Sequence, residues 1–281
     1  MVTRSRRRWL AIGLITVALA TMPAVASATH SWGGYHWART ANTFTLKLGD
    51  NVSGLWDGML VTASSDWSQS TVLDTTIVAG GTQAKPCKAT SGRVEVCSAR
   101  YGNTGWLGLA QIWITGGEHI TQGIVKNNDY YFGSSTYQYN NTAEMQHVIC
   151  QEIGHTFGLD HQSTSGASLN TCMDYYHNGS AGDTKSTHPN AGDYDELVCI
   201  YDRAQSGQTL TSGSHTCTGT GHLDSFTSVS SAATLTNNGA VAEASGWGRL
   251  VASSNGGGAQ TFVLDLGGGQ AIVTFVIWAR S

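Results

Sequence analysis

The 281-residue chain carries 15 Lys and Arg against 19 Asp and Glu, a formal charge of −4, and only 12% of its residues are charged. Four arginines and no acids fall within the first 28 residues, so the remainder holds 11 basic against 19 acidic residues, formally −8. Such an acidic body lacks the basic footprint that nucleic acid or an anionic lipid surface requires.

The N-terminal "RSRRRWLAIGLITVALATMPAVASA" sets a basic run before a short apolar run and closes on Ala26-Ser27-Ala28. This is the layout of a secretory signal peptide cut after Ala28, and it predicts an extracellular protein without membrane association once residues 1–28 are removed. A membrane anchor, the competing reading, needs about 20 apolar residues without a cleavage site. Removing 28 of the 281 residues leaves 253, enough for one large domain or one domain with an appendage.

After an aromatic start in which Trp32 and Trp37 are either ligand surface or core, "TFTLKLGD" (residues 43–50) alternates like a strand. Asn51 then stands where it could cap a helix through "LWDGMLVTASSDWSQ". "TVLDTTIVAG" reads as a second strand, and "RVEVCSARYG", "LGLAQIWIT" and "HITQGIVKNN" as three more, punctuated by Gly and Asn. A Tyr-rich loop leads into "TAEMQHVICQEIGHTFG", where Asn141 and Glu144 have capping-box spacing at a helix start. "NAGDYDELVCIYDRA" predicts one further helix. Strands with one early helix, then two late helices, make an α+β plan. Beyond about Ser206 the composition turns linker-like, and "TFVLDLGGGQAIVTFVIWA" reads as a hairpin about three glycines. The expected division is residues 1–28 signal peptide, 29–205 main domain and 206–281 linker with a β-rich extension. So small a tail is poorly sized for a core of its own, and packing on the main domain is the alternative.

All six cysteines, Cys87, Cys97, Cys150, Cys172, Cys199 and Cys217, follow residue 28, an even count that suits three disulfides in an oxidising compartment. Of the 15 possible pairings, the nearest-neighbour set 87–97, 150–172 and 199–217 is the expectation. The absence of a C-x-x-C pair argues against a cysteine zinc site or a thioredoxin-like redox centre.

The chemistry concentrates in "HVICQEIGHTFGLDHQ", residues 147–162. On a helix, Gln151 and His155 share a face and Glu152 sits beside them. Gly158 can end the helix and return His161 to the same point in space. Two imidazoles and a third donor can hold a metal tetrahedrally with one position left for water, whose proton Glu152, itself no ligand, would take. The plain alternative is a solvated helix with incidental histidines. Glu152, His155, Gly158 and His161 followed by "NTCMDYY" are far more specific than a lone E-x-x-H. His147 shares the face but lies two helical turns away, about 12 Å of rise, and is expected to face a loop or satisfy a polar neighbour. His119, His177, His188 and His222 lack ligand spacing.

These residues resemble the metzincins, the zinc endopeptidase clan marked by H-E-x-x-H-x-x-G-x-x-H and a methionine turn. "QEIGHTFGLDH" matches except at Gln151, where the first histidine belongs, and "CMDY" supplies the turn through Met173. The likeness covers roughly residues 43–205 and implies a twisted mixed sheet with an active-site helix in a metallopeptidase domain. It implies one catalytic Zn2+, with His155 and His161 as ligands, Gln151 as a weak or indirect third donor, Glu152 as general base and Met173 beneath the ion. Glutamine offers a neutral carbonyl oxygen, a poorer zinc donor than imidazole. The likeness further implies that "HITQGIVKNN" is an edge strand pairing with an extended peptide. Tyr175 stands where some metzincins place a tyrosine near zinc, as a ligand or oxyanion stabiliser; a packed tyrosine is the alternative. A 150–172 disulfide would tie the active helix to the turn. The expected protein is a secreted, monomeric, zinc-dependent endopeptidase acting on peptide or protein, with a catalytically silent binder of peptide or cell-surface polymer as the alternative.

Overall fold

The computed structural model describes residues 30–163, 165–202 and 246–279. The expected signal peptide, the start of the linker-like segment, Cys217 and His222 therefore lie outside the described residues. In chain order the elements are β1 (His36–Trp37), β2 (Phe44–Asn51), α1 (Leu55–Trp67), β3 (Leu73–Ala79), β4 (Val94–Ala99), β5 (Trp106–Thr115), β6 (His119–Asn128), α2 (Asp129–Phe132), α3 (Thr142–His155) and α4 (Ala191–Tyr201), then β7 (Arg249–Ser254), β8 (Ala259–Gly267) and β9 (Gln270–Trp278). The class is α+β.

The strands form one mixed sheet in the order β3-β2-β4-β6-β5-β9-β8-β7, with β1 paired to the start of β6. Strands β3, β2, β4 and β6 run parallel. Parallel neighbours cannot be joined by a tight turn, and α1 supplies the crossover from β2 to β3. From β5 onward every pairing is antiparallel, with β5 bonded to both β6 and β9. Trp106–Trp113 of β5 and Ile120–Asn128 of β6 are buried throughout, which accounts for the near-continuous apolar run in "LGLAQIWIT": helices or loops cover both faces.

Helix α1 buries Trp56, Met59, Leu60, Ala63 and Trp67 against β3 and α3. The Trp67 indole donates to the Cys150 carbonyl at 3.2 Å and meets Phe157 edge-on at 5.5 Å, so α1 buttresses the middle of α3. Trp37 belongs to the core and donates to the Thr156 carbonyl at 2.8 Å. Trp32, half-buried, meets Phe275 edge-on. Cys87–Cys97 and Cys150–Cys172 are bonded as expected. Cys199 is also in a disulfide. No helix among the described residues is long and apolar enough to cross a membrane.

Three expectations are corrected. Helix α1 is not capped by Asn51 but begins after Gly54, which adopts φ 69° without a side-chain cap. Asn51 closes β2 instead, and its amide donates to the buried Glu95 carboxylate at 2.7 Å. The capping box of α3 is half made: Asn141 accepts from the Glu144 amide at 2.9 Å, but the Glu144 side chain turns inward to His177 and Asn178. The complete box occurs at α4, between Asn190 and Asp193. Finally, β6 is no edge strand, because β4 and β1 flank one side and β5 the other.

Candidate active site

Helix α3 is buried from Ala143 to His155 and lies against β5 and β6. A Cβ on Gly154 would come within 2.6 Å of the Met173 sulfur and 2.7 Å of Trp67, so only glycine lets both pack on the helix there. Gly158 then takes φ 97°, with the Tyr35 carbonyl where a side chain would be. The chain turns, and His161 returns to the end of α3.

The two histidines meet. His155 Nε2 and His161 Nε2 are 3.0 Å apart. His155 Nδ1 faces the Leu159 carbonyl at 2.9 Å, which can only accept, so this nitrogen carries the proton. His161 Nδ1 faces the Asp160 carboxylate at 3.0 Å, which fixes its tautomer in the same way, and the Tyr175 hydroxyl lies 2.7 Å from it. Asp160 is held below the usual carboxylate range: burial opposes this, but the bonds and charge of His161 outweigh it. Both Nε2 atoms therefore present lone pairs to one another, an arrangement that asks for a cation between them.

Burial, reinforced by His161, drives the His155 imidazole down to about 3. Burial also lowers His161, against the pull of Asp160. Both rings are thus neutral near pH 7, the form that ligates metal. Glu152 is fully buried and its carboxylate meets no side-chain donor. Burial lifts its carboxyl well above the usual range, opposed only by the Ala110 backbone amide.

Gln151 is held differently from a histidine. Its amide nitrogen donates to the Cys172 carbonyl at 2.7 Å and the Asp174 carbonyl at 2.6 Å, gripping the backbone on both sides of Met173. Its Oε1 is buried and accepts nothing. The Cys150–Cys172 disulfide joins the same turn to α3, and the Met173 carbonyl accepts from Gln162 at 2.6 Å. Tyr175, nearly buried, also hydrogen-bonds Ser254 at the end of β7, and burial raises its phenol.

The structure thus brings Glu152, His155, His161, Gln151, Met173 and Tyr175 around the end of α3 and the following turn. Sequence reasoning missed what covers them. Strand β9 pairs with β5 along Trp106–Ile114 and stacks Phe275 on the His155 ring, 4.3 Å between centroids and 5° from parallel. It also missed a cluster at the opposite end of α3, where His177 lies 2.5 Å from Glu144 and His147 is 3.5 Å from the same carboxylate. The Glu144-x-x-His147 spacing was the available signal; His177, dismissed for lack of spacing, joins through tertiary structure. His147 faces the Asp174 carbonyl at 3.2 Å, the loop-facing role expected of it. Comparison with protein-family models and with curated protein sequences finds no match.

Proposed function

We propose that the chain is a secreted, zinc-dependent endopeptidase of metzincin type. The observation that carries this reading is the pair of facing Nε2 lone pairs on His155 and His161, both rings locked by acceptors at Nδ1. These donors fit zinc: two neutral imidazoles, with the unpartnered Gln151 Oε1 as the third candidate. A zinc ion held there supplies Lewis acidity toward the scissile carbonyl and the attacking water. Glu152 accepts the water's proton at a carboxylate oxygen and passes it to the leaving amine; burial raises its carboxyl, which makes the ionised form a stronger base. Tyr175 contributes a hydroxyl beside His161 to steady developing negative charge. The disulfides suit an oxidising, extracellular setting, and the protein acts as a monomer on an extended peptide or protein.

An extended peptide would add to β5, the strand nearest α3 on the antiparallel side, by main-chain pairing. That place is filled by β9, and Phe275 lies over His155. On this reading β9 closes the site, and hydrolysis requires the C-terminal hairpin to leave β5. The second reading is a catalytically silent relative that binds peptide or cell-surface polymer, and a cover over His155 that never opens would favour it. The experiment that separates them is elemental analysis of the purified protein combined with hydrolysis of a peptide library before and after chelation. Bound zinc and chelator-sensitive cleavage support the enzyme; a metal-free, inert protein removes it.

A further inference from the structure

The first turns of α3 hold a polar cluster that peptide hydrolysis does not use. Glu144 and His147 stand three residues apart, so both leave one face of the helix, and the loop after Asp174 brings His177 over them. Glu144 Oε1 lies 2.5 Å from His177 Nδ1. Glu144 Oε2 accepts from the Asn178 amide at 2.7 Å and lies 3.5 Å from His147 Nδ1. One donor atom from each of the three side chains falls within 4.8 Å of the others.

The deciding atom is His147 Nδ1, which is buried and faces Glu144 Oε2 at 3.5 Å. The other ring nitrogen faces the Asp174 carbonyl, which can only accept, so Nε2 carries the proton. In the neutral ring Nδ1 then turns a lone pair toward a carboxylate, and such a contact holds only with a proton or a metal ion between the two. The 3.5 Å separation is long for a charge-assisted hydrogen bond, which runs about 2.7–2.9 Å. It is close to the roughly 3.3 Å between two ligands of a tetrahedral zinc with bonds of about 2.0–2.1 Å. A Glu-x-x-His pair on one helix is also how metal-binding bundles present two ligands together.

We infer that Glu144, His147 and His177 form a second metal site, taking a zinc-class divalent cation through one carboxylate oxygen and two imidazole nitrogens. His177, only part-buried, leaves the fourth position toward solvent, and its ring withdraws from Glu144 by roughly 1 Å to share the ion rather than bond the carboxylate. Two nitrogens and one oxygen suit zinc over magnesium or calcium, which take oxygen shells. The ion would pin the start of α3 to the loop that follows Met173, two helical turns from His155. Its occupancy is independent of the hydrolytic reading.

The test uses the full chain, stripped with chelator and titrated with Zn2+ alone, the bound ion counted by elemental analysis after desalting. The wild type is expected to hold two equivalents, His177→Ala one, His161→Ala one, and the double variant none. His177 is part-exposed, so its alanine variant should keep the native far-ultraviolet circular dichroism; Co2+ loaded in place of zinc should lose one of two sets of visible bands in that variant. Equal zinc content in wild type and His177→Ala overturns the site and leaves a proton as the bridge. Loss of an ion in His177→Ala with no change in His161→Ala would sustain this site and remove the hydrolytic one, so the two readings fail separately.

Discussion

The two ends of α3 carry the same residue types in opposite charge states. At its start, burial would raise Glu144, but the bonds and charges of His147 and His177 outweigh burial and hold its carboxyl down at about 2. Burial would likewise lower His147, yet Glu144 raises it. At its end, burial lifts Glu152 and lowers His155 to about 3, because Glu152 meets only a backbone amide and His155 meets another imidazole. One helix in one core therefore makes an ion-paired cluster where opposite groups touch, and a neutral, unpaired one where they do not. The helix dipole acts in the same sense at the start, since an anion in the first turn is favoured there. Burial alone does not set the charge; the partner does.

Exchanging the two carboxylates tests this contrast most strongly. Glu152→Gln is expected to cut hydrolysis by at least about 10²-fold, since a general base is removed, while zinc binding to the stripped protein stays near wild type. Glu144→Gln is expected to act on stability, by about 3 kcal/mol, because it breaks a buried ion-paired set. Measuring kcat and the denaturation midpoint for both variants checks the pair; equal losses of activity at unchanged stability would erase the distinction between the two ends.

The pH dependence separates the ends by sign. Glu144 has a folded pKa below its ordinary value of 4.5, so the stability it contributes in the metal-free protein is complete above that value and is lost as pH falls toward about 2. Chemical denaturation of chelator-treated protein across this window should show the loss, and Glu144→Gln should flatten it. Glu152, whose pKa is raised, changes stability in the opposite direction: removing its burden should make Glu152→Gln gain relative stability as pH rises above 4.5. A parallel response of both variants would mean that their environments do not differ as the structure describes.

A smaller effect is expected at the cover. Phe275→Leu keeps β9 apolar but removes the stack on His155. An aromatic stack is worth about 1 kcal/mol, which corresponds to about fivefold more open form and a similar rise in kcat/KM if chemistry itself is unchanged. An unchanged rate would show that β9 does not limit access.

What sequence alone could reach follows the range of the interactions. The spacing of Gln151, Glu152 and His155, the turn at Gly158 and the 150–172 bond are local or tied to one motif, and each is found in the structure. The pairing of β9 with β5 joins segments more than 150 residues apart, and a short apolar alternation carries no record of which strand it will meet. The family likeness made "HITQGIVKNN" an edge, whereas the strand on its far side is β5, the segment just before it, and the one beyond that comes from the C-terminus. His177 joins Glu144 through a loop whose path follows from the methionine turn rather than from any helical period. Asn51 failed as a cap because the Glu95 carboxylate, 2.7 Å away across the sheet, is a stronger partner than a helix terminus four residues on.

The last expected effect lies at Gln151, where the hydrolytic end departs from a three-histidine pattern. Its amide nitrogen holds the Cys172 and Asp174 carbonyls while its oxygen remains free, so one side chain braces the turn and keeps a donor in reserve. Histidine cannot do both. If one imidazole nitrogen ligates zinc, the single N–H satisfies at most one carbonyl, and the other is buried without a partner at a cost of about 1–3 kcal/mol. Gln151→His should therefore improve zinc affinity by less than about tenfold, the better donor offset by a looser turn, and should lower the thermal midpoint. Gln151→Ala loses the donor and both carbonyl bonds, so its zinc affinity should fall, though by less than in His155→Ala. Calorimetric titration of zinc into the stripped proteins, with thermal denaturation alongside, measures both quantities. Equal affinity in wild type and both variants, with the midpoint lowered, would place Gln151 off the metal and leave it as the clamp of the turn alone.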